Sequence, residues 1–246
     1  MPSGAEFEAA RQSLRLWRAV EAQQVVSTML LVDTLDEQAL LEQLIDTTKP
    51  PVPPDAVGLH YLLFTPFRYP PAGYGSRFRR PGDPGVFYGA DAIRTACAEV
   101  GYWRWRFLRD SPELERIDPR PQTVFQAAVR APTIDLREPP LVRQRARWTR
   151  PNDYGPCQDL ATRARDAGVG VIRYESVRDP DRGGAAAVLD ARAFARPAPL
   201  AVETWYLGTD RARVRWTRAP FTGRPEGFEF DTAPWARTLP GPPVTG

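Results

Sequence analysis

The sequence is short of several residues that enzyme chemistry usually relies on. It has one histidine, two cysteines and two methionines in 246 residues, and Lys49 is its only lysine. Cys97 and Cys157 are too few for a disulfide framework, and neither sits in a CxxC or Cys/His spacing that would hold zinc. Each is expected to be a small, half-buried hydrophobe, which fits a reducing cytoplasm. His60 lies in the apolar run GLHYLLF, so a Ser-His-Asp or Cys-His mechanism would have to be built around it, and a structural histidine is the better expectation. No stretch has the roughly 18 or more apolar residues of a membrane-spanning helix, and the first thirty residues show no charged segment followed by a long apolar run. A soluble, cytoplasmic protein is expected. GxGxxG, GxxxxGK[ST] and HExxH are missing too, which removes the usual signatures of a Rossmann dehydrogenase, a P-loop NTPase and a zincin. No metal and no bound cofactor is expected.

What the chain does have is arginine, hydrophobic residues enough for a core, and proline. The hydrophobic fraction is 42%, sufficient for one large domain or two small ones at this length. Arginine supplies all but one of the 33 basic residues. Its planar fork suits phosphate and carboxylate, although a G+C-rich gene would produce the same usage. Arginines interleaved with aromatics in GYWRWRFLRD, RQRARWTR and RARVRWTR raise a nucleic-acid-binding alternative. Thirty acidic residues nearly balance the basic ones, leaving a net charge of +3. Without a concentrated positive face, counterion-driven binding has little to act through. These runs read instead as amphipathic surface elements, with Trp103, Trp148 and Trp216 as anchors to the core.

Periodicity and punctuation give an outline of the elements. LWRAV reads as a short strand; DEQALLEQLIDTT, with Asp36 as a cap, reads as a helix that KPPVPPD ends. LHYLLFTPF is predicted to be a buried strand and RYPPAGYGS a loop. A helix is predicted from Asp91 as N-cap through YWRWRFL. Two strands broken by Ala-Pro are predicted over 122–137. A second helix is predicted over YGPCQDLATRARDAG, with Asp153 near its start and Gly168 as a left-handed terminator, followed by the strand VGVIRYESVRDP, its end marked by Asp-Pro. AAAVLDARAF, LAVETWYLG and RARVRWTRA read as strands, the last as an edge strand with its arginines in water. The Pro/Gly-rich final twenty-odd residues are expected to wrap the surface or fray.

The chemistry concentrates in GSRFRRPGDPGVFYGADAIRTACAEV, residues 75–100. If RRPGDPG turns the chain back on itself, SRF and VFY become neighbouring strand segments. Arg77 and Tyr88 then line one cleft, with Glu99 entering from the following helix. An arginine fork binds pyrophosphate, a tyrosine face stacks on a flat heterocycle, and a carboxylate stabilises cationic sugar character. That set suits cleavage of an N-glycosidic bond in a dinucleotide; a surface salt bridge beside a half-buried ring is the plainer reading of the same residues. Arg79 and Arg80 read as solvated turn residues.

Taken together, GSRF, GVFYGAD, ACAEV and the later IRYESVRDP resemble the RES-domain family, named for an Arg, a Glu and a Ser. An early Trp17-Arg18 resembles the family's opening strand, so the likeness runs from about residue 15 to about 195. The resemblance implies an α+β, ADP-ribosyltransferase-like fold, with two small, mostly antiparallel sheets flanked by helices and NAD held between them as substrate. Its relatives are bacterial toxins that degrade NAD by hydrolysis or phosphorolysis, or modify a protein, each neutralised by an antitoxin encoded beside it. It implies Glu99, Arg77 and Tyr88 as catalytic residues, with Arg77 on a phosphate or the nicotinamide ribose, Tyr88 stacked near nicotinamide and Glu99 stabilising the oxocarbenium ion. Arg18, on the diphosphate, and Ser176, on substrate or on Glu99, would be substrate-binding; for each a structural role is the alternative, an ion pair for Arg18 and a capped Asp-Pro turn for Ser176. The expected activity is NAD glycohydrolase or phosphorylase, with protein ADP-ribosyl transfer as its alternative. An antitoxin partner and a homodimer are left open. One departure stands out: where many relatives carry an Asn after the serine motif, this chain has GGAAAVLDARAF, with Ala187 or a neighbour at that place. The domain division expected is a RES-like catalytic domain over 1–200 with an insertion around 21–58, and a strand-rich extension over 201–246 packed on it.

Overall fold

The computed structural model describes residues 7–22, 34, 36–37, 49–69, 73–218 and 226–239. Eight strands, β1 (Ala10–Glu21), β2 (Phe87–Ala90), β3 (Arg116–Asp135), β4 (Val171–Glu175), β5 (Gly184–Val188), β6 (Ala201–Asp210), β7 (Arg213–Arg218) and β8 (Glu226–Asp231), form one sheet. Their order is β1-β2-β5-β4-β3-β6-β7-β8, and β1 also pairs with β3. All neighbours are antiparallel except β3 and β4. The expected pair of small sheets is therefore one larger sheet. The reason is the length of β3: over its 20 residues it pairs with β1 along Gln122–Thr133, with β4 at its C-terminal end and with β6 along Arg116–Gln126. What would have been two sheets share that strand.

The two strands predicted across 122–137 are likewise one. Pro132 lies inside β3, opposite Arg11. Its carbonyl accepts from the Gly170 N–H at 2.9 Å, so its missing donor faces that same side. There β6 pairs only as far as Gln126 and β4 begins at Thr133, and the absent N–H interrupts no strand ladder.

Five helices are described: α1 (Tyr61–Arg68), α2 (Ile93–Arg109), α3 (Arg145–Trp148), α4 (Gly155–Asp166) and α5 (Ala233–Ala236). α1 replaces the predicted strand LHYLLFTPF. Leu59, Leu62, Leu63 and Phe67 all face one core cluster, a helical spacing, and His60 caps the helix by accepting the Leu62 N–H on Nδ1 at 3.2 Å. The predicted helix over DEQALLEQLIDTT lies outside the described residues apart from its start. There Thr34 and Glu37 exchange side-chain-to-backbone hydrogen bonds at 3.2 Å, a reciprocal cap centred on Thr34 rather than Asp36.

β5 explains how the core is layered. Ala185 and Ala187 face α4, with Cys157, Leu160, Ala161 and Ala164. Ala186 and Val188 face α1, with Leu62 and Leu63. A strand covered on both sides reads as an unbroken apolar run. Ala187 is fully buried opposite Tyr88. A third cluster packs α2 onto the other end of the sheet: Cys97, Ala98, Tyr102 and Trp105 meet Trp205, Leu207, Val214, Trp216 and Phe230. α2 approaches closely enough that a Cβ on Gly101 would stand 2.8 Å from Cγ1 of Val214.

The described part of the tail, residues 226–239, belongs to the fold. β8 makes β7 an interior strand and not the predicted edge. Trp235 on α5 is buried among Tyr102, Trp105 and Phe230. Of the three predicted tryptophan anchors, Trp148 and Trp216 are buried, whereas Trp103 is 54% exposed. Gly168, at φ 74°, ends α4 as predicted. No helix of the described residues is long and apolar enough to cross a membrane.

Candidate functional site

α2 runs along a cleft of about 320 Å³. Ala96, Glu99, Val100 and Trp103 line it, at the i, i+3, i+4, i+7 spacing of one helix face, while Cys97, Ala98 and Tyr102 point into the core. Asp91 does not cap this helix: it accepts from Arg173 at 2.8 Å and Arg137 at 3.3 Å instead. Its first turn is held by Asp179 of the loop after β4, which accepts from Thr95 Oγ1 at 2.7 Å and pairs with Arg94. That contact fixes the ESVRDP loop against the start of α2.

Ser176 is thereby brought behind Glu99. Its hydroxyl donates to Glu99 Oε1 at 2.6 Å and accepts from the amides of Asp179 at 3.0 Å and Arg178 at 3.3 Å. It is fully buried and lies outside the cleft lining. The hydroxyl both caps the turn, its structural alternative, and grips Glu99, one of the two roles the resemblance implies, and the side chain touches Glu99 rather than the cavity. Burial pushes the Glu99 carboxyl above the usual carboxylate range, while the Ser176 hydrogen bond and the cations of Arg77 and Arg178 pull in the opposite direction.

The turn over 75–88 folds back, through one tyrosine hydroxyl in place of strand pairing. Tyr88 Oη accepts the Phe78 N–H at 3.0 Å and shares a hydrogen bond with Ser76 Oγ at 2.7 Å. Its phenol is pushed up by burial. Arg77 is buried, and its Nη1 donates to the carbonyls of Trp148 at 2.9 Å and Arg150 at 3.0 Å. The guanidinium lies 4.8 Å over the Tyr154 ring. Arg79, expected in solvent, is only 3% exposed and donates to the Tyr74 carbonyl. Arg80, on the surface, pairs with Asp159.

Arg18, Arg77, Tyr88 and Glu99 all line the one cleft, together with Trp17 and Trp103 at its walls. Arg18 donates to the Tyr88 carbonyl at 2.9 Å and lies 4.8 Å over the Phe87 ring. Among the described residues no carboxylate pairs with it, and its buried Nε has no hydrogen-bond partner. Desolvation draws its pKa down to about 10, so it remains a cation at neutral pH.

Two cleft residues were not singled out from the sequence. Arg178 is 3% exposed; its Nη2 donates to the Pro151 carbonyl at 2.6 Å and to Tyr154 Oη at 3.3 Å. It sits 3.8 Å over the Tyr102 ring, and its Nη1 is a second buried donor without a partner among the described residues. The carbonyl of the same residue accepts from Trp235 Nε1 at 2.7 Å, so the C-terminal helix braces the site. Tyr154 holds both Arg77 and Arg178. Arg178 lay within the ESVRDP stretch, where an arginine two residues after the serine was the available signal; Tyr154, between a Pro/Asn/Asp turn and a helix, offered none. Among the described residues no group of three or more His, Cys, Asp or Glu could hold a metal.

A cleft with buried cations on two sides of one desolvated carboxylate can bind a polyanion and stabilise positive charge developing beside it. A family model described as the RES domain matches residues 52–216. Among solved structures, a chain in the crystal structure of the M. tuberculosis MbcT-MbcA toxin-antitoxin complex is similar at 14% identity and a TM-score of 0.47, over 82% of this chain and 86% of that one. No curated protein matches the sequence. The family match spans well over half of the chain and takes in Arg77, Tyr88, Glu99 and Ser176; the chain belongs to the RES-domain family.

Proposed function

We propose that this protein cleaves the N-glycosidic bond between nicotinamide and ribose in NAD, as the NAD-degrading member of a toxin–antitoxin pair. The observation that carries the chemistry is the placement of Glu99 on the cleft wall, held from behind by Ser176. As the C1′–N bond breaks, its electron pair leaves with nicotinamide and positive charge develops on the ribose. The ionised Glu99 carboxylate stabilises that charge, in a cleft where Coulombic interactions are stronger than in water. Arg18 and Arg178, each with a buried N–H lacking an acceptor among the described residues, hold substrate anions. Tyr88 and Trp103 offer ring faces to the nicotinamide. Arg77, anchored on two carbonyls, keeps its charge near both Glu99 and the ribose. Water, phosphate or a protein side chain then adds at C1′.

The test is free nicotinamide released from NAD by the purified full chain, with and without phosphate. Glu99→Gln is expected to lower kcat by roughly 10²–10³-fold, the scale of removing one electrostatic stabiliser of a transition state. Release at the wild-type rate by Glu99→Gln, or none from the wild type, overturns the mechanism. The pH profile follows from Glu99. Its carboxylate must be ionised, and burial raises its pKa, so activity should fall on acidification at a pH above the free-glutamate value of roughly 4.3. Ser176→Ala removes a hydrogen bond that favours the ionised form and should move that acidic limb to still higher pH.

A further inference from the structure

A second cavity, of about 360 Å³, adjoins the Glu99 cleft. Arg18, Gly75, Ser76 and Tyr88 line both. The far side is built by α1, with Tyr61, Leu62 and Thr65, and by Tyr69 and Tyr74 beyond it. The three tyrosines are 42%, 38% and 79% exposed. Aromatic rings left open to water around one hollow are an unusual concentration for a monomer surface. The wall between the cavities holds the cation Arg18, whose buried Nε lacks an acceptor and which has no carboxylate partner among the described residues.

We propose that this second cavity binds the adenosine end of a dinucleotide, with the diphosphate passing over Arg18 and the nicotinamide riboside in the Glu99 cleft. The inference rests on the reading of that cleft as an NAD site. Each cavity has the volume of a small ligand site, roughly 300–1,000 Å³. Two such hollows joined at one cation without a carboxylate partner among the described residues match a ligand with two flat ends and an anionic middle. Open tyrosine faces stack on a purine, and the guanidinium supplies charge-assisted hydrogen bonds to phosphate.

The experiment compares NAD, nicotinamide mononucleotide and adenosine 5′-monophosphate on the full chain, measuring nicotinamide release for the first two and binding for the third. Thr65→Trp fills the second cavity from α1, and Tyr74→Ala removes an exposed ring from its wall. Thr65→Trp is expected to lower the ratio of kcat/KM for NAD over nicotinamide mononucleotide roughly tenfold, and to weaken adenosine 5′-monophosphate by about the same factor. Tyr74→Ala should change both in the same direction by about 2- to 10-fold, the range of one stacking contact. An unchanged ratio and unchanged mononucleotide binding in both variants overturn the proposal, as does an equal loss for both cleavage substrates. If the wild type releases no nicotinamide from either substrate but loses adenosine 5′-monophosphate binding in Thr65→Trp, the NAD reading fails and the second cavity stands.

Discussion

RARWTR at 145–150 and RVRWTR at 213–218 differ at one position in six, yet the first begins as a helix and the second is an interior strand. In both, the tryptophan is buried and arginines turn to carboxylates, Arg145 to Glu175 through two bonds of 2.7 Å, Arg213 and Arg215 to Glu229, while Arg147 donates to Gln144. Anchor and charges are therefore shared, and surroundings decide the backbone. At 213–218 strands lie on both sides, and Val214 and Trp216 alternate inward against α2. At 145–150 only Trp148 is buried and Ala146 faces solvent. The consequence is functional. An interior strand's carbonyls are taken up by its neighbours. A helix end leaves its last carbonyls open, and here that of Trp148, with those of Arg150 and Pro151 just beyond the helix, receives Arg77 or Arg178. One copy frames the site; the other supports the scaffold behind α2.

Removing each tryptophan is the strongest way to break that distinction. Trp216→Ala and Trp148→Ala should each destabilise the protein by about 3–5 kcal/mol, as large buried-to-small changes do, read by denaturant unfolding. Only Trp148→Ala should also lower kcat/KM per folded molecule, because it loosens the carbonyls under Arg77. An equal kinetic loss in Trp216→Ala would show that both copies serve the site.

A subtler change tests the arginines. Arg77→Lys replaces a fork that reaches two carbonyls and a tyrosine ring with a single ammonium. It should lower kcat/KM for nicotinamide release roughly 10- to 100-fold, about 1.4–2.7 kcal/mol. Arg215→Lys, in exposed pairs with Asp210 and Glu229, should change stability by less than about 1 kcal/mol and leave turnover alone.

How far the sequence carries such distinctions depends on whether the signal is local. Arg77 and Ser176 sit beside turns, Tyr88 on a short strand after one and Glu99 two turns into the helix that follows, and the structure brings Arg77, Tyr88 and Glu99 to one cleft with Ser176 behind Glu99. α2, α4 and the Gly168 stop were legible for the same reason. Leu59, Leu62, Leu63 and Phe67 already had helical spacing, but the run was short enough to pass for a strand. Pro132 looked like a break because its harmlessness depends on where β4 and β6 stop, and that is a property of the neighbours. Arg178 and Tyr154 matter because of what a distant segment offers them, and the Pro/Gly-rich tail looked loose because nothing local shows Trp235 meeting Tyr102 and Trp105. Arg79 was assigned to solvent from its place in a charged turn; the Tyr74 carbonyl that draws it inward is set by the turn's geometry.

The smallest expected effects come from exchanging the one residue that separates the two hexapeptides. Val214→Ala removes two buried carbon groups from a fully buried position, which should destabilise by about 1–2 kcal/mol at roughly 0.8 kcal/mol for each. Ala146→Val places a β-branched residue on an exposed position of a four-residue helix and should cost at most about 0.7 kcal/mol of helix propensity. Thermal unfolding of the two single variants and the double variant separates these contributions. Local preference would dominate if Ala146→Val proved the more damaging, or if it lowered kcat/KM as much as Arg77→Lys by drawing the segment out of its helical turn. A small, purely thermal effect at 146 beside a larger one at 214 is what packing predicts, since Val214 is held by the core against Gly101 while Ala146 touches water.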